Sequence, residues 1–280
     1  MPENISIKDT GVLFGYGLFE TIRVYDNVPF LLGNHLKRLT DSLRDLFFPS
    51  QHIPRKDAMA EIIKDYIMQN HIAAGGVRFS VTFGNSQEEI PPSIFIMKRG
   101  IPYSFEDYQR GVAAVISSFK KNEHSPLVRH KTFNYLENLI SLRVCADNQA
   151  KECIFLNNFG AVSECSKSNI FFSKNGLALT PSIDCGLLPG VTRKHTILLL
   201  RRNGIKVIEG VFRLEDLLKS DECFITNSLI GIMPVVKIDG RIIGCGEPGK
   251  LTRLAMSLYD ASIKKHVHSY GNSTKPKRVK

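Results

Sequence analysis

The 280-residue chain lacks several features that would narrow its class at once. No apolar run approaches the roughly 18 residues of a membrane span, which argues against a membrane role. The N-terminus has no basic segment followed by an apolar stretch, so a secretory signal is not expected, and a cytoplasmic location is. The six cysteines form no CxxC pair and are expected to be reduced and mostly buried. The eight histidines show no HExxH or comparable spacing, which argues against a metal centre. Internal repeats are absent.

Acidic residues are missing from the C-terminal end. KKHVHSYGNSTKPKRVK carries six Lys and Arg and no acid, and removing these six charges from the net +10 leaves +4 for the body. So polar a segment cannot bury enough surface to order itself, and 266–280 is expected to be a solvated basic tail. No interleaving of basic and aromatic residues in the body supports nucleic-acid binding. A hydrophobic content of 43% and a charged content of 23% fit a globular chain with room for two modest cores.

The residue pattern divides the chain. LFETIRVY (18–25) alternates like a strand and is followed by a turn at Asp26-Asn27 and the returning VPFLL. Leu36, Leu39, Leu43, Leu46 and Phe47 predict one face of a helix from Asn34 to Pro49, and Met59, Ile62, Ile63, Tyr66 and Ile67 a second. VRFSVTF, SIFIMK and VAAVISSF read as strands. Residues 1–118 are therefore expected to form a small α/β unit, and KKNEHSPLVRH, centred on 119–130, an interdomain linker. From 131 to 265 a larger unit follows. It has a helix in TFNYLENLISLRVCADNQA with Tyr135, Leu136, Leu139, Ile140 and Leu142–Val144 on its apolar side. Short strands around Asn-Gly and Asp-Gly turns come next, then the helix VTRKHTILLLRRN and a last helix over 248–263. The chain is expected to be mixed α/β.

Four segments carry chemistry. Lys131 lies in VRHKTFNYLENL. Glu164 follows thirty-three residues later in the apolar stretch AVSECSKSNIFF, with Cys165 beside it. LLPGVTRKH has a Gly-led turn opening a helix, and CFITNSLIGIMPV is a short apolar strand ending in amide and hydroxyl residues. A lysine to bond an aldehyde, a carboxylate for a ring nitrogen, and a helix N-terminus with a hydroxyl for a phosphate are what a pyridoxal 5'-phosphate (PLP) enzyme requires.

Together FGYGLFETIRV, HLKRL, KTFNYLENL, VSECSKSNIFF, LLPGVTR and ITNSLIGIMPV make residues 10–263 resemble the fold type IV PLP enzymes. These include branched-chain aminotransferases, D-amino acid aminotransferases and 4-amino-4-deoxychorismate lyases. The resemblance implies Lys131 as the cofactor-bonding lysine and catalytic base, and Glu164 as the partner of the pyridine nitrogen. It implies Arg38, Val191, Thr192 and Ser228 as phosphate ligands, and Tyr135 either near the cofactor's phenolic oxygen or in the core. It also implies a homodimer.

Within that group, D-amino acid aminotransferases trap the substrate carboxylate with a tyrosine and an Arg-x-His pair. Here Phe19 takes the tyrosine's place and the pair is absent. Branched-chain aminotransferases share the phenylalanine and an arginine like Arg78, six residues before Gly84. The short Lys131–Asn134 spacing and Asn227-Ser228-Leu229 before Ile232-Met233-Pro234 resemble the lyases, which form 4-aminobenzoate for folate synthesis. A lyase is the expected activity, with a branched-chain aminotransferase as the alternative. Phe19, Arg78 and Asn227 are expected at the substrate, with Arg23 as a second candidate for a substrate carboxylate.

Overall fold

The structure, a computed structural model, describes residues 4–273. The chain falls into two compact units, one taking in the chain up to Ile101 and again from Leu258, the other running Pro102–Ser257.

In the first unit α1 (Thr10–Phe14) leads into β1 (Gly17–Tyr25), β2 (Val28–Pro29), α2 (Leu32–Asp45), α3 (Lys56–Gln69), β3 (Ala74–Thr82) and β4 (Ile94–Arg99). The strands form an antiparallel sheet in the order β2-β1-β3-β4. Asp26 and Asn27, both with positive φ, make the tight turn between β1 and β2, a conformation that Asp and Asn tolerate better than branched residues. Alternation along β1 turns Leu18, Ile22 and Val24 onto Leu36, Leu39 and Leu43 of α2 and Met59, Ile63 and Ile67 of α3. The α2 helix stops at Asp45, earlier than the expected Pro49, and Phe47 takes a positive φ and is exposed. Phe48 turns inward in its place.

The second unit contains α4 (Phe105–Arg110), β5 (Val112–Lys121), α5 (Leu136–Asp147), β6 (Glu152–Asn157), β7 (Val162–Cys165), β8 (Asn169–Lys174) and β9 (Leu177–Pro181). After these come α6 (Val191–Arg202), β10 (Val207–Gly210), α7 (Leu214–Leu218), β11 (Glu222–Asn227), β12 (Gly231–Ile238) and β13 (Arg241–Ile242). The nine strands form one sheet in the order β10-β9-β8-β11-β12-β5-β6-β7, with β13 paired to β12. Asn175-Gly176 and Asp239-Gly240, all with positive φ, close the β8–β9 and β12–β13 hairpins, as the Asn-Gly and Asp-Gly pairs predict. The core lies under this sheet around Ile154, Ile170, Phe172, Ile225 and Met233.

The division differs from the one expected. β5, assigned from sequence to the N-terminal unit, lies inside the nine-stranded sheet, parallel to both β12 and β6. Its partners are far away in sequence, and no local pattern records such pairing. The expected linker is also anchored in the second unit: Arg129 pairs with Asp184 at 3.1 Å and Glu123 accepts the Asn158 N–H at 3.0 Å. The last helix, α8 (Lys250–Ser273), runs past the expected end of the ordered chain at 265. In the first unit His266 packs edge-on against Phe30 at 5.1 Å. Residues 274–280 of the expected tail lie outside the described residues.

The α5 helix reverses the expected polarity. Its inward residues are Asn138, Ser141 and Cys145, whereas Leu136 and Leu139 are 69% and 55% exposed and Ile140 and Val144 are also exposed. The helix starts at Leu136, five residues after Lys131. All six cysteines are free, with only Cys245 exposed. No helix among the described residues is long and apolar enough to cross a membrane.

Candidate active site

In the second unit the half-buried Lys131 follows the short helical turn Pro126–Arg129 and precedes α5. Its Nζ lies 5.7 Å from the centre of the Tyr135 ring. The Tyr135 hydroxyl donates to the Ser166 carbonyl at 3.0 Å. The same carbonyl accepts from Asn138 Nδ2 at 2.6 Å, so the start of α5 is tied to the turn after Glu164.

Glu164 sits on β7, a strand buried at all four positions, and is itself 9% exposed. Burial pushes its carboxyl up to about 7, while the Lys121 ammonium, the Leu188 N–H and the Lys131 ammonium pull it down. The Leu188 N–H donates to Oε2 at 3.0 Å. Lys121, on β5, was not singled out from sequence. Its side chain is 12% exposed, with Nζ 4.6 Å above the Phe155 ring, 3.5 Å from Asn138 Oδ1 and 3.8 Å from Glu137. Cys165 faces the other way, into the core, where burial raises its thiol far above the ordinary range.

At the helix terminus, Gly190 is the N-cap of α6 and no side chain caps it. Val191 and Thr192, both buried, open the first turn, whose N–H groups have no partner within the helix. Any Cβ on Gly190 would collide with Asn169 Oδ1, so only glycine lets the backbone pass here. Ser228 stands in the turn between β11 and β12. Asn227, expected at the substrate, closes that turn: its Oδ1 accepts the Leu229 and Ile230 N–H groups at 2.9 and 3.1 Å, and its Nδ2 donates to Ser168 Oγ at 3.0 Å.

These residues of the second unit fit PLP. They offer a half-buried lysine, a buried carboxyl held near neutrality, and an uncapped helix N-terminus of the kind that takes phosphate. When bound, PLP supplies an aldehyde for a substrate amine and a ring that accepts the electron pair left by deprotonation.

In the first unit Arg38 holds Glu20 by two parallel bonds, Nε to Oε1 and Nη2 to Oε2, both 2.7 Å. His35 Nδ1 lies 2.7 Å from Oε2 of the same carboxylate. Burial alone would raise the Glu20 carboxyl, but Arg38 and His35 bring it down to about 2. Glu20 and His35 were not singled out from sequence. On the other face of this sheet the Arg78 guanidinium lies 3.6 Å from the centre of the buried Phe19 ring, and its Nε donates to Ser80 Oγ at 3.3 Å. Arg23 lies on that face too, 4.9 Å from the Tyr25 ring centre.

Comparisons with known proteins identify the family. The profile described as amino-transferase class IV matches residues 17–238. The aminodeoxychorismate lyase of Bacillus subtilis is 32% identical over 276 residues, 95% of this chain and 92% of that protein. A Methanocaldococcus jannaschii protein, named provisionally as a branched-chain-amino-acid aminotransferase, is 33% identical over 257 residues, covering 89% of this chain and 88% of its own. Among solved structures, the PLP form of the branched-chain amino acid aminotransferase of Thermobaculum terrenum superposes with a TM-score of 0.85. It is 26% identical and covers 96% of this chain and 92% of its own. The chain is thus a member of the class IV aminotransferase family, an enzyme with the type IV fold whose cofactor is pyridoxal 5'-phosphate.

Proposed function

We propose that the enzyme is a 4-amino-4-deoxychorismate lyase, releasing pyruvate and leaving 4-aminobenzoate. The observation that carries this reading is the turn from Asn227 to Leu229. Its sequence resembles that of the lyases, and the Asn227 amide oxygen accepts the Leu229 and Ile230 N–H groups within it. The similarity to the Bacillus subtilis lyase along 95% of this chain supports it.

The chain's own groups suit the reaction. Lys131 would hold the cofactor through its Nζ, which would be free to act as a base once substrate has taken its place. A neutral amine at that point removes the proton from the amine-bearing carbon, and the enolpyruvyl ether on the neighbouring carbon departs as pyruvate once reprotonated. The ring left behind becomes aromatic, and atoms balance with no second amino acceptor. Glu164 would give its proton to the ring nitrogen and, as a carboxylate, hold that nitrogen as its cation, which a carboxyl poised near neutrality can do. Val191, Thr192 and Ser228 take the phosphate, at a helix N-terminus whose free N–H groups favour an anion. Tyr135 stands beside Lys131 and is proposed near the phenolic oxygen. Arg78 or Arg23 meets a substrate carboxylate, and Phe19 supplies the flat surface under Arg78.

The Phe19–Arg78 pair is also what favours the second reading, transamination of branched-chain amino acids with 2-oxoglutarate. One assay separates the two. Enzymatically made aminodeoxychorismate is followed for 4-aminobenzoate and pyruvate without a keto acid, beside leucine with 2-oxoglutarate. Pyruvate and 4-aminobenzoate in equal amounts support the lyase. Amino exchange with leucine and no 4-aminobenzoate replaces it with the transaminase. A homodimer is part of the proposal, with the exposed apolar face of α5 as a surface that a second copy would cover.

A further inference from the structure

A second acid lies beneath the site and has no part in the chemistry above. Glu152, the first residue of β6, is fully buried. A carboxylate removed from water needs donors to be tolerated, and Glu152 has three. Ser166 Oγ and the Cys153 N–H reach Oε1, the latter at 3.1 Å, and Ser168 Oγ donates to Oε2 at 2.9 Å. Both serines belong to one turn, Ser166-Lys167-Ser168, between β7 and β8. Its backbone is closed by the Cys165 N–H donating to the Ser168 carbonyl at 2.7 Å and secured to β6 by the Ser166 N–H donating to Cys153 at 2.8 Å.

Three cofactor-facing segments hang on this turn. Glu164 stands two residues before it. Tyr135 and Asn138, at the start of the helix that follows Lys131, both donate to the Ser166 carbonyl. Asn227, which shapes the Ser228 turn, donates to Ser168 Oγ. Ser168 Oγ therefore accepts from Asn227 while donating to Glu152. A neutral side chain at 152 cannot accept from both serines and the backbone together without turning one of them away.

We propose that Glu152 is a positioning residue of the cofactor site: by gripping Ser166 and Ser168 it fixes the one turn that sets Glu164, the start of α5 beside Lys131, and the Asn227–Ser228 loop against each other. Groups behind a binding site commonly orient the ones that touch the ligand, and their loss lowers affinity without removing a contact. The inference rests on the reading of Glu164 as the ring-nitrogen partner.

The test uses PLP-loaded protein and three variants, Glu152→Gln, Ser168→Ala and Glu164→Gln. The readouts are the PLP dissociation constant and the pH at which the visible absorbance band of bound PLP titrates. Circular dichroism reports folding. Glu152→Gln is expected to weaken PLP about tenfold, and Ser168→Ala less, on the scale of one lost charge-assisted hydrogen bond. Both should move the titration midpoint in the same direction as Glu164→Gln, which a role confined to core packing would not do. If Glu164→Gln moves the midpoint while folded Glu152→Gln and Ser168→Ala match the unsubstituted protein, the proposal is overturned. If Glu164→Gln itself changes nothing, the reading of Glu164 fails instead. Should Glu152→Gln not fold, Ser168→Ala alone decides: a wild-type midpoint and PLP affinity in that variant overturn the proposal.

Discussion

Arg38 and Glu20 meet through two parallel bonds of 2.7 Å, on a carboxylate whose side chain is only 1% exposed. Removing Arg38 would take away the two-bond partner of a carboxylate buried in the first unit and leave His35 beside it. Arg38→Ala should therefore destabilise the cofactor-free protein by about 3–5 kcal/mol, as for other broken buried pairs. Urea unfolding at pH 7 measures this. Glu20→Gln combined with Arg38→Met should be milder than Arg38→Ala alone, and the reverse order would mean that the pair is not what holds this region.

The same carboxylate predicts acid lability. Its folded pKa, about 2, lies below the ordinary value of 4.5, so its contribution is present above pH 4.5 and is lost as the pH falls toward 2. The Glu20→Gln variant should show a flatter loss of stability across that window.

Glu164 works in the opposite sense. Its carboxyl is raised from 4.5 to about 7 in the cofactor-free fold, so the folded state holds a proton that the unfolded chain has released. Stability should then fall as pH rises from 4.5 to 7, by about 3 kcal/mol. In cofactor-free Glu164→Gln that fall should vanish, and denaturant midpoints at pH 5 and pH 8 compare the two. An equal pH dependence in both proteins would contradict the buried, proton-holding carboxyl.

How far this site could be read from sequence depended on the kind of signal. Lys131, Glu164, Arg38 and the Gly190-led helix sit in short ordered motifs; the structure places Glu164 on a strand, Arg38 on α2 and Gly190 at the start of α6 as those motifs predict, while Lys131 stands five residues before α5 rather than at its start. Glu20 was also within reach: alternation along β1 puts it on the same face as Leu18, Ile22 and Val24, and a buried acid there needs a cation such as Arg38. Glu152 had a weaker trace, a single acid at the head of the apolar run Cys153-Ile154-Phe155-Leu156. Lys121 had none, because its surroundings come from Phe155 and Asn138 across the sheet and helix. The position of β5 and the reversed face of α5 were illegible for a related reason. The former depends on parallel pairing with distant strands. The latter depends on a polar network under the helix that draws Asn138 and Ser141 inward while the leucines face out.

That outward face supplies a test of assembly. Leu136, Ile140 and Val144 recur at four-residue spacing and are all exposed in the single chain. Ile140→Glu should shift sedimentation from the proposed dimer toward monomer while leaving the far-ultraviolet circular dichroism unchanged. A variant that sediments like the unsubstituted protein would take α5 out of the interface.

The central claim is the proposal that Lys131, whose ammonium acts on Glu164, is the residue that bonds the cofactor. Borohydride reduction of the PLP-loaded enzyme, followed by peptide mass spectrometry, tests it most directly, because Lys121 also acts on Glu164 and offers a second amine. The account predicts a reduced pyridoxyl group on the peptide containing Lys131 and loss of the visible band. A pyridoxyl group on Lys121, or on any other lysine, would contradict it.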